Sequence, residues 1–312
     1  AAIKYASDKE DQLVKQYMGA AGLTHKIYCS RNTYIRTTLA ATISGMDYTT
    51  KRMNALQTLL PQNNILSTNG NYVLSSYINT RFGPRHTHRS GIILTALTYN
   101  QQIQNAISPG ILQTIVDGSG SSVLAAAYSQ SSVAFTEKLS ANVGITGQVF
   151  ALNGQASAEP RLGLKYKLSS TKSLGLAYGL HSRLERLSYY YIRSQTTGQL
   201  LNKDLGFSKA HHIVLSYDQS LAKNLHLKIE PYYQHLFNIP VVDGTPISLI
   251  NVQSDWFFSM PLQNTGMGRN YGIDVTLEKY MAHGYYAMLT GSVFSSTYKG
   301  GDDIWRDTRF NR

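Results

Sequence analysis

The feature that most constrains this sequence is a period-two alternation of apolar and polar residues that recurs along most of the chain. It is clearest in four segments, namely Tyr34–Ser44, Arg161–Leu168, Leu225–Tyr233 and Tyr271–Glu278. In the first segment Leu39 and Ile43 share one face, while Thr38 and Thr42 share the other. Because successive side chains of a β-strand point to opposite faces, each segment predicts a strand with one apolar and one wet face.

The apolar residues are too dispersed for a membrane-spanning helix. The longest apolar runs, Ser122–Tyr128 and Gly91–Leu97, stop far short of the roughly 20 residues that such a helix needs. Only 15% of the residues are charged, whereas a soluble surface usually carries about 25–35% Lys, Arg, Glu and Asp. We therefore expect something other than water to cover part of the surface.

The basic balance of the chain does not indicate nucleic-acid binding. The net charge is +11, but the Lys and Arg residues are scattered singly and do not form the stripe that binds phosphates. The same balance suits an anionic lipid surface or an acidic ligand. Cys29 is the single cysteine and can form neither an internal disulfide nor a cysteine-based zinc site.

The connections between the predicted strands alternate in length. Short turns are predicted at Ser30–Thr33, Gly83–Thr87, Thr136–Leu139, Ser169–Lys172, Leu221–Asn224 and Ala282–Gly284. Long loops are predicted at Asp47–Gly70, Gln101–Gly120, Leu184–Gly206 and Asn238–Arg269, with a shorter connection at Asn153–Ser157. Outer-membrane β-barrels have short periplasmic turns and long extracellular loops. We therefore predict an all-β fold, an antiparallel transmembrane β-barrel.

The number of strands predicts part of a barrel. The pattern gives about a dozen strands of about ten residues, the length that a tilted strand needs to cross a membrane. The N-terminus, Ala1–Lys4, lacks a signal-peptide pattern, which for an exported protein implies processing or truncation. Both chain ends are expected on the side of the long loops, and we interpret residues 1–312 as one partial barrel domain.

Two stretches of the sequence resemble a known family. The first is the hairpin formed by Glu159–Leu168 and Ser173–Ser182, and the second runs through Asn264–Lys279 and Gly284–Ser295 to Trp305–Asn311. Together they resemble the middle and late barrel of TonB-dependent outer-membrane receptors from Bacteroidota, in the subgroup with an N-terminal carboxypeptidase-regulatory-like domain. The resemblance implies about twelve strands of a 22-stranded barrel whose lumen holds a plug.

The resemblance also implies a function. The parent receptor would sit in the bacterial outer membrane and import a scarce nutrient such as a siderophore, cobalamin, a glycan or a peptide. Its partners would be outer-membrane lipid and lipopolysaccharide, a surface lipoprotein, and the TonB complex. TonB would act only through the plug and TonB box, which this sequence does not contain. No enzymatic activity, cofactor or nucleic-acid partner is expected.

Substrate-binding candidates come from the predicted loops and the polar faces of the strands. They are Trp256, Phe257, Arg161, Lys165 and Tyr190. For Trp256 and its neighbours, ligand contact and loop packing are both open. Aromatic residues beside short turns, such as Tyr285 and Tyr286, favour a girdle at headgroup depth.

Other chemistry is not favoured by the sequence. His211 and His212 are adjacent on a strand and should face opposite sides, while His86 and His88 share a face but have no third ligand nearby. No nucleophile motif is present, so we expect neither a metal site nor a catalytic site. Carboxylates on the polar faces, such as Glu230, are expected to form ion pairs in the lumen.

Two other functions remain open from the sequence. A passive outer-membrane channel or adhesin-like barrel would share the strand pattern but need no plug. A soluble secreted β-sheet domain that binds or hydrolyses a ligand would lack a lipid-facing belt. That belt is predicted to contain Leu39, Ile43, Leu164, Leu176, Leu227 and Ile273.

Overall fold

The computed structural model describes residues 9–194, 196–252, 260–282 and 284–311, and it consists of one antiparallel sheet. Its thirteen strands pair in sequence order. They are β1 Glu10–Tyr28, β2 Thr33–Met53, β3 Leu59–Gly83, β4 His86–Ser108, β5 Ile111–Ala134, β6 Leu139–Phe150, β7 Ala156–Lys167, β8 Lys172–Arg183, β9 Ser208–Ala222, β10 Leu225–Val241, β11 Gln263–Ala282, β12 Tyr285–Lys299 and β13 Trp305–Asp307. One short helix, α1 (Leu187–Tyr190), lies between β8 and β9. The all-β prediction is confirmed.

The predicted short turns all lie at one end of the sheet, here called the short-turn end. Side chains hold several of these turns together. Thr136 Oγ1 accepts a hydrogen bond from the Leu139 amide at 2.9 Å, and Ser169 Oγ accepts one from the Thr171 amide at 3.2 Å. Ser and Thr hydroxyls stabilise tight turns in this way, because they bond the backbone two or three residues further on.

Two of the predicted long loops are wrong, because the strands continue through them. The ladder between β2 and β3 extends to the pair Met53–Leu59, and that between β4 and β5 extends to Ser108–Ile111. Strands β1–β5 therefore have 19 to 25 residues, whereas about ten were expected. The extended parts are rich in Asn, Gln, Thr and Ser on both faces, so they lack the apolar alternation that identifies a strand in a sequence.

The other two long loops are irregular over part of their predicted length. The described residues of 184–207 contain α1 and one isolated bridge, Arg193–Leu200, and the described residues of 242–262 lie between β10 and β11. Both lie at the end opposite the short turns, here called the long-hairpin end. The strand ends differ from the prediction, since β10 continues to Val241 and β11 begins at Gln263.

The two faces of the sheet differ in polarity. On the apolar face Leu23, Leu39, Leu74 and Leu94 stand in register on four neighbouring strands. Large side chains on this face are uncovered, with Leu39 54%, Ile43 46%, Leu176 36% and Ile273 50% exposed. The opposite, polar face carries residues such as Thr38, whose hydroxyl bonds that of Thr24 at 3.0 Å. A contiguous apolar surface of this kind marks contact with lipid or another protein.

Aromatic residues follow the apolar face at both ends of the sheet. At the short-turn end Lys279 Nζ lies 4.2 Å from the centre of the Tyr285 ring. At the long-hairpin end the His211 ring stacks on Phe237 at 5.1 Å and on Tyr178 at 6.0 Å. Two aromatic belts separated by an apolar band are typical of a barrel wall that spans a membrane.

The sheet is open along its two sides. Within the described ranges β1 pairs only with β2, and β13 pairs only with β12. In the same ranges, none of the helical residues forms a segment long and apolar enough to cross a membrane.

Because one face of the sheet is apolar and the other polar, the cost of an added charge to the free energy of folding should depend on the face that carries it. Leu176→Arg places a cation in the middle of the apolar face, which should cost about 2–4 kcal/mol of folding free energy in a bilayer. Ala177→Arg places the same side chain on the polar face one residue later and should cost much less. Urea unfolding of the full-length protein in phospholipid vesicles measures both. Equal losses for the two variants would contradict a lipid-facing band.

Candidate functional site

The described part of the segment 184–207, residues 184–194 and 196–207, folds over the polar face of β4–β6 at the long-hairpin end. Its aromatic residues make the contacts. The Tyr190 ring packs edge-on against Phe150 at 5.0 Å, and the Tyr191 ring lies 5.5 Å from Tyr99. Tyr191 Oη donates a hydrogen bond to the Ser121 carbonyl at 2.7 Å. This segment, here called the inner loop, therefore covers part of the polar face.

The inner loop has its own hydrophobic core. Phe150, Tyr190 and Phe207 are 0%, 0% and 2% exposed, and Leu205 and Leu262 are also buried with them. The core thus joins residues of β6, of the inner loop and of the connection between β10 and β11. Burial of several large side chains holds a loop in one position far better than exposed polar contacts would.

Three asparagines fasten the inner loop to its neighbours. Asn202, 1% exposed, donates to the Met260 carbonyl at 3.2 Å and accepts from the Leu262 amide at 2.8 Å. Asn153 Nδ2 donates to the carbonyls of Lys203 and Leu205 at 2.9 and 2.8 Å. The third is Asn264, whose Oδ1 accepts from the Gly206 amide at 2.8 Å. These bonds satisfy backbone groups that have no strand partner.

A cavity of about 770 Å³ lies between the inner loop and the polar face of β8–β10. Its lining includes His181, Arg183, Arg186, Tyr189, His212 and Leu236. The volume is in the range of small-molecule and short-peptide sites, and an apolar wall with a few polar groups is typical of them. This cavity is the candidate binding site.

A buried carboxylate organises the polar side of the site. Glu159 is 3% exposed and accepts hydrogen bonds from Gln148 Nε2 at 2.6 Å and from the backbone amide and hydroxyl of Ser182. Its other oxygen binds Arg161 Nη2 at 2.8 Å. A buried carboxylate needs such partners to replace the hydrogen bonds that it would make with water. Arg161 is thereby held in place at one end while half of its side chain remains exposed.

Two histidines join neighbouring strands on the same face. The rings of His181 on β8 and His212 on β9 lie 4.9 Å apart. His211 stacks on the opposite, apolar face, which confirms that His211 and His212 point to different sides. The pair His181–His212 could not be predicted from the sequence, because only the register between β8 and β9 brings these residues together.

The structure places the predicted substrate residues in different surroundings. Arg161 belongs to the network beside the cavity, and Lys165 is exposed further along β7 on the same face. The inner loop buries Tyr190, and this burial raises the pKa of its hydroxyl to about 12. The Tyr190 position supports a packing role, and ligand contact there stays a prediction. Trp256 and Phe257 lie outside the described residues.

The remaining chemical predictions concern metals and ion pairs. Among the residues that the structure describes, no three His, Cys, Asp or Glu side chains come close enough to hold a metal. His86 and His88 do share a face, where the His88 Nδ1 atom and the Ser131 hydroxyl are 2.8 Å apart. Lys228 and Glu230 form the ion pair expected on the polar face, at 2.7 Å.

Solved structures match the whole sheet, although no family model and no curated protein matches the sequence. The ferric-catecholate import receptor Fiu from E. coli K12 matches with a TM-score of 0.69 and 14% identity over 96% of this chain and 50% of that chain. This chain has the fold of an outer-membrane transporter barrel. Two further structures agree. The RagAB peptide importer matches with a TM-score of 0.63 and 12% identity over 94% of this chain and 37% of that chain. The copper transporter OprC matches with a TM-score of 0.64 and 10% identity over 94% of this chain and 48% of that chain. The chain thus spans half or less of these three structures.

Because the inner loop lies close against β5, a methyl group added at Gly120 should displace the loop. A Cβ atom at Gly120 would lie 2.7 Å from both Tyr191 Cζ and Tyr99 Cε1, whereas one at Gly118 would meet Tyr99 Oη at an ordinary 3.6 Å. Gly120→Ala should therefore displace the inner loop at a cost of about 1–3 kcal/mol. Faster amide hydrogen exchange at residues 187–192 would report this. Gly118→Ala is the matched control and should leave that exchange unchanged.

The asparagine contacts predict a second effect on the same loop. Asn202→Leu retains the number and branching of the side-chain heavy atoms but leaves the Leu262 amide and the Met260 carbonyl without their partner, which should cost about 1–3 kcal/mol. Exchange should accelerate at residues 197–207. Asn224→Leu changes an asparagine at the short-turn end and should not affect that segment. Unchanged exchange in Asn202→Leu would show that the apolar core alone holds the loop.

Proposed function

We propose that this chain forms the wall and the extracellular mouth of a TonB-dependent outer-membrane transporter that imports a scarce, bulky nutrient. Two observations support the proposal: the fold shared with outer-membrane transporters, and the resemblance of the stretches around Glu159–Ser182 and Asn264–Asn311 to the Bacteroidota receptors. The coverage of half or less of each matched structure supports a place within a larger barrel.

The proposal assigns a direction to the sheet. The short-turn end faces the periplasm, and the long-hairpin end faces the outside of the cell, as in other outer-membrane barrels. The apolar face contacts the lipid, with lipopolysaccharide at the aromatic belt around His211 and Phe237. The polar face lines the lumen.

The inner loop and its cavity are the observation that carries the proposal. A ligand that arrives from outside meets the cavity first, between the inner loop and β8–β10. Its apolar parts would pack on Tyr189 and Leu236, and Arg186 in the cavity lining offers a cation. Arg161, held by Glu159, lies beside the cavity. Passage into the lumen then requires movement of the inner loop or the plug, and TonB would supply the energy for this through the plug.

The two alternative functions fit fewer of these features. A soluble secreted domain does not explain an apolar face on which Leu39 and Ile273 are about half exposed. A passive channel shares the wall but has no need of a fastened loop beside a cavity. We also propose that the chain has no enzymatic activity, which agrees with the finding that no group of three His, Cys, Asp or Glu in the described residues could hold a metal ion.

A fitness experiment tests the proposal. In the native host, Ala210→Trp should fill the cavity that Ala210 lines and reproduce the nutrient-specific growth defect of a deletion of the gene. Ala222→Trp, on the same strand at the short-turn end, should grow like the wild type. Barcoded strains compared across carbon, nitrogen and iron sources measure this.

A deletion of tonB distinguishes the active transporter from the passive channel. We expect the strain that lacks tonB to show the same nutrient-specific growth defect as the strain that lacks this gene. The strain that lacks both genes should grow no more slowly on that nutrient than the tonB deletion alone. A defect that is additive with the tonB deletion would favour a passive channel instead.

A further inference from the structure

Three cations lie close together on the polar face of β1, β2 and β4 at the short-turn end. Lys26 and Arg36 are direct cross-strand partners, and Arg89 follows the β3–β4 turn. Like charges in directly opposite positions of an antiparallel pair destabilise a sheet. An arrangement that places Lys26 against Arg36 therefore calls for a compensating negative charge.

Tyrosines hold these cations in place. Lys26 Nζ lies 4.4 Å from the centre of the Tyr28 ring and 4.1 Å from that of Tyr34, and it donates a hydrogen bond to Tyr28 Oη at 2.6 Å. Arg89 Cζ lies 4.6 Å from the centre of the Tyr77 ring. Tyrosine rings attract a cation by their electron-rich faces but do not neutralise it. Lys26, Arg36, Arg89, Tyr28, Tyr34 and Tyr77 are here called the cation–tyrosine cluster.

No carboxylate lies within this part of the wall. Between Gln12 and Val116 the sequence contains a single acidic residue, Asp47. It is separated from Arg36 by about 36 Å along β2, at a rise of about 3.3 Å per residue, and its carboxylate lies 4.0 Å from Lys15. Among the described residues none of the three cations of the cluster takes part in an ion pair.

We propose that the cation–tyrosine cluster is a binding site for the oxyanion groups of the transported ligand, which is therefore anionic. The inference rests on the proposed function, because it takes the polar face as the lumen. Guanidinium and ammonium groups bind carboxylate and phosphate oxygens through short, charge-assisted hydrogen bonds. The tyrosines position the cations in advance, which lowers the entropy lost when the ligand binds.

Further cations on the polar face favour a moving ligand over a fixed acidic segment of protein. Arg186, on the inner loop, lines the cavity beside the polar face at the long-hairpin end, and Lys165 lies on β7 nearer the short-turn end. Neither takes part in an ion pair among the described residues. A fixed acidic segment of protein would occupy only one of these positions and would leave the other cations without a partner. A series of cations from the mouth to the short-turn end provides successive sites for an anion that crosses the lumen.

Calorimetric titration of the full-length protein in lipid nanodiscs tests this site. The probe is benzene-1,3,5-tricarboxylate, and its neutral counterpart is benzene-1,3,5-tricarboxamide. We expect only the tricarboxylate to bind, and Lys26→Gln and Arg36→Gln each to reduce its association constant about tenfold. Arg31→Gln removes an equal charge from the adjacent turn and should change the constant less than twofold.

Several outcomes would overturn the inference. They are failure of the tricarboxylate to bind, equal binding of both probes, and equal effects of Arg31→Gln and Arg36→Gln. If the cluster instead holds an acidic protein segment, Arg36→Gln would lower the unfolding midpoint and leave probe binding unchanged. If Ala210→Trp still blocks growth on the imported nutrient in any of these cases, the transporter function stands and only the anionic ligand is rejected.

Discussion

The structure depends on the need of every backbone amide and carbonyl for a partner in a surface that faces lipid. A bilayer offers no water to these groups, so each strand must find its hydrogen bonds in its two neighbours. The thirteen strands meet this need in the simplest order, each pairing with the next along the chain. The same requirement explains why the long irregular segments of the described residues lie at the long-hairpin end. There, side chains such as Asn202 and Asn153 replace the missing strand partners.

Because the backbone pairing is regular, the two faces of the wall differ only in their side chains. Because they alternate strictly, one residue faces lipid and the next faces the lumen, and each face can change without altering the other. Leu39 and Leu74 thus continue an apolar row across strands whose opposite faces carry Arg36 and Thr38. His211 and His212 show the same independence at the long-hairpin end, one in an aromatic belt and the other beside the cavity.

Much of the wall could be predicted from the sequence, and the site could not. Alternation identified strands such as β7 and β10, where apolar residues mark one face, and Ser, Thr and Gly marked the short turns. It failed in the hairpins of β2–β5, where both faces are polar and pairing continues without an apolar signal. The cavity could not be predicted from the sequence, because it depends on the strand register and on the packing of the inner loop. Nothing in the sequence indicates that Tyr190 packs on Phe150, or that His181 meets His212.

The distribution of charge on the polar face adds a final constraint on what can pass. Cations predominate on β1–β8, whereas carboxylates gather on β10 and β11, where Glu230 stands directly opposite Asp274. Only Glu230 of these two has a cationic partner, since Lys228 lies 2.7 Å from it. Because low-dielectric walls strengthen such fields, an anion in the lumen is drawn towards β1–β8 and away from β10–β11. The wall would therefore guide an anion along one side of the lumen, from Arg186 at the cavity towards Arg36 near the periplasm.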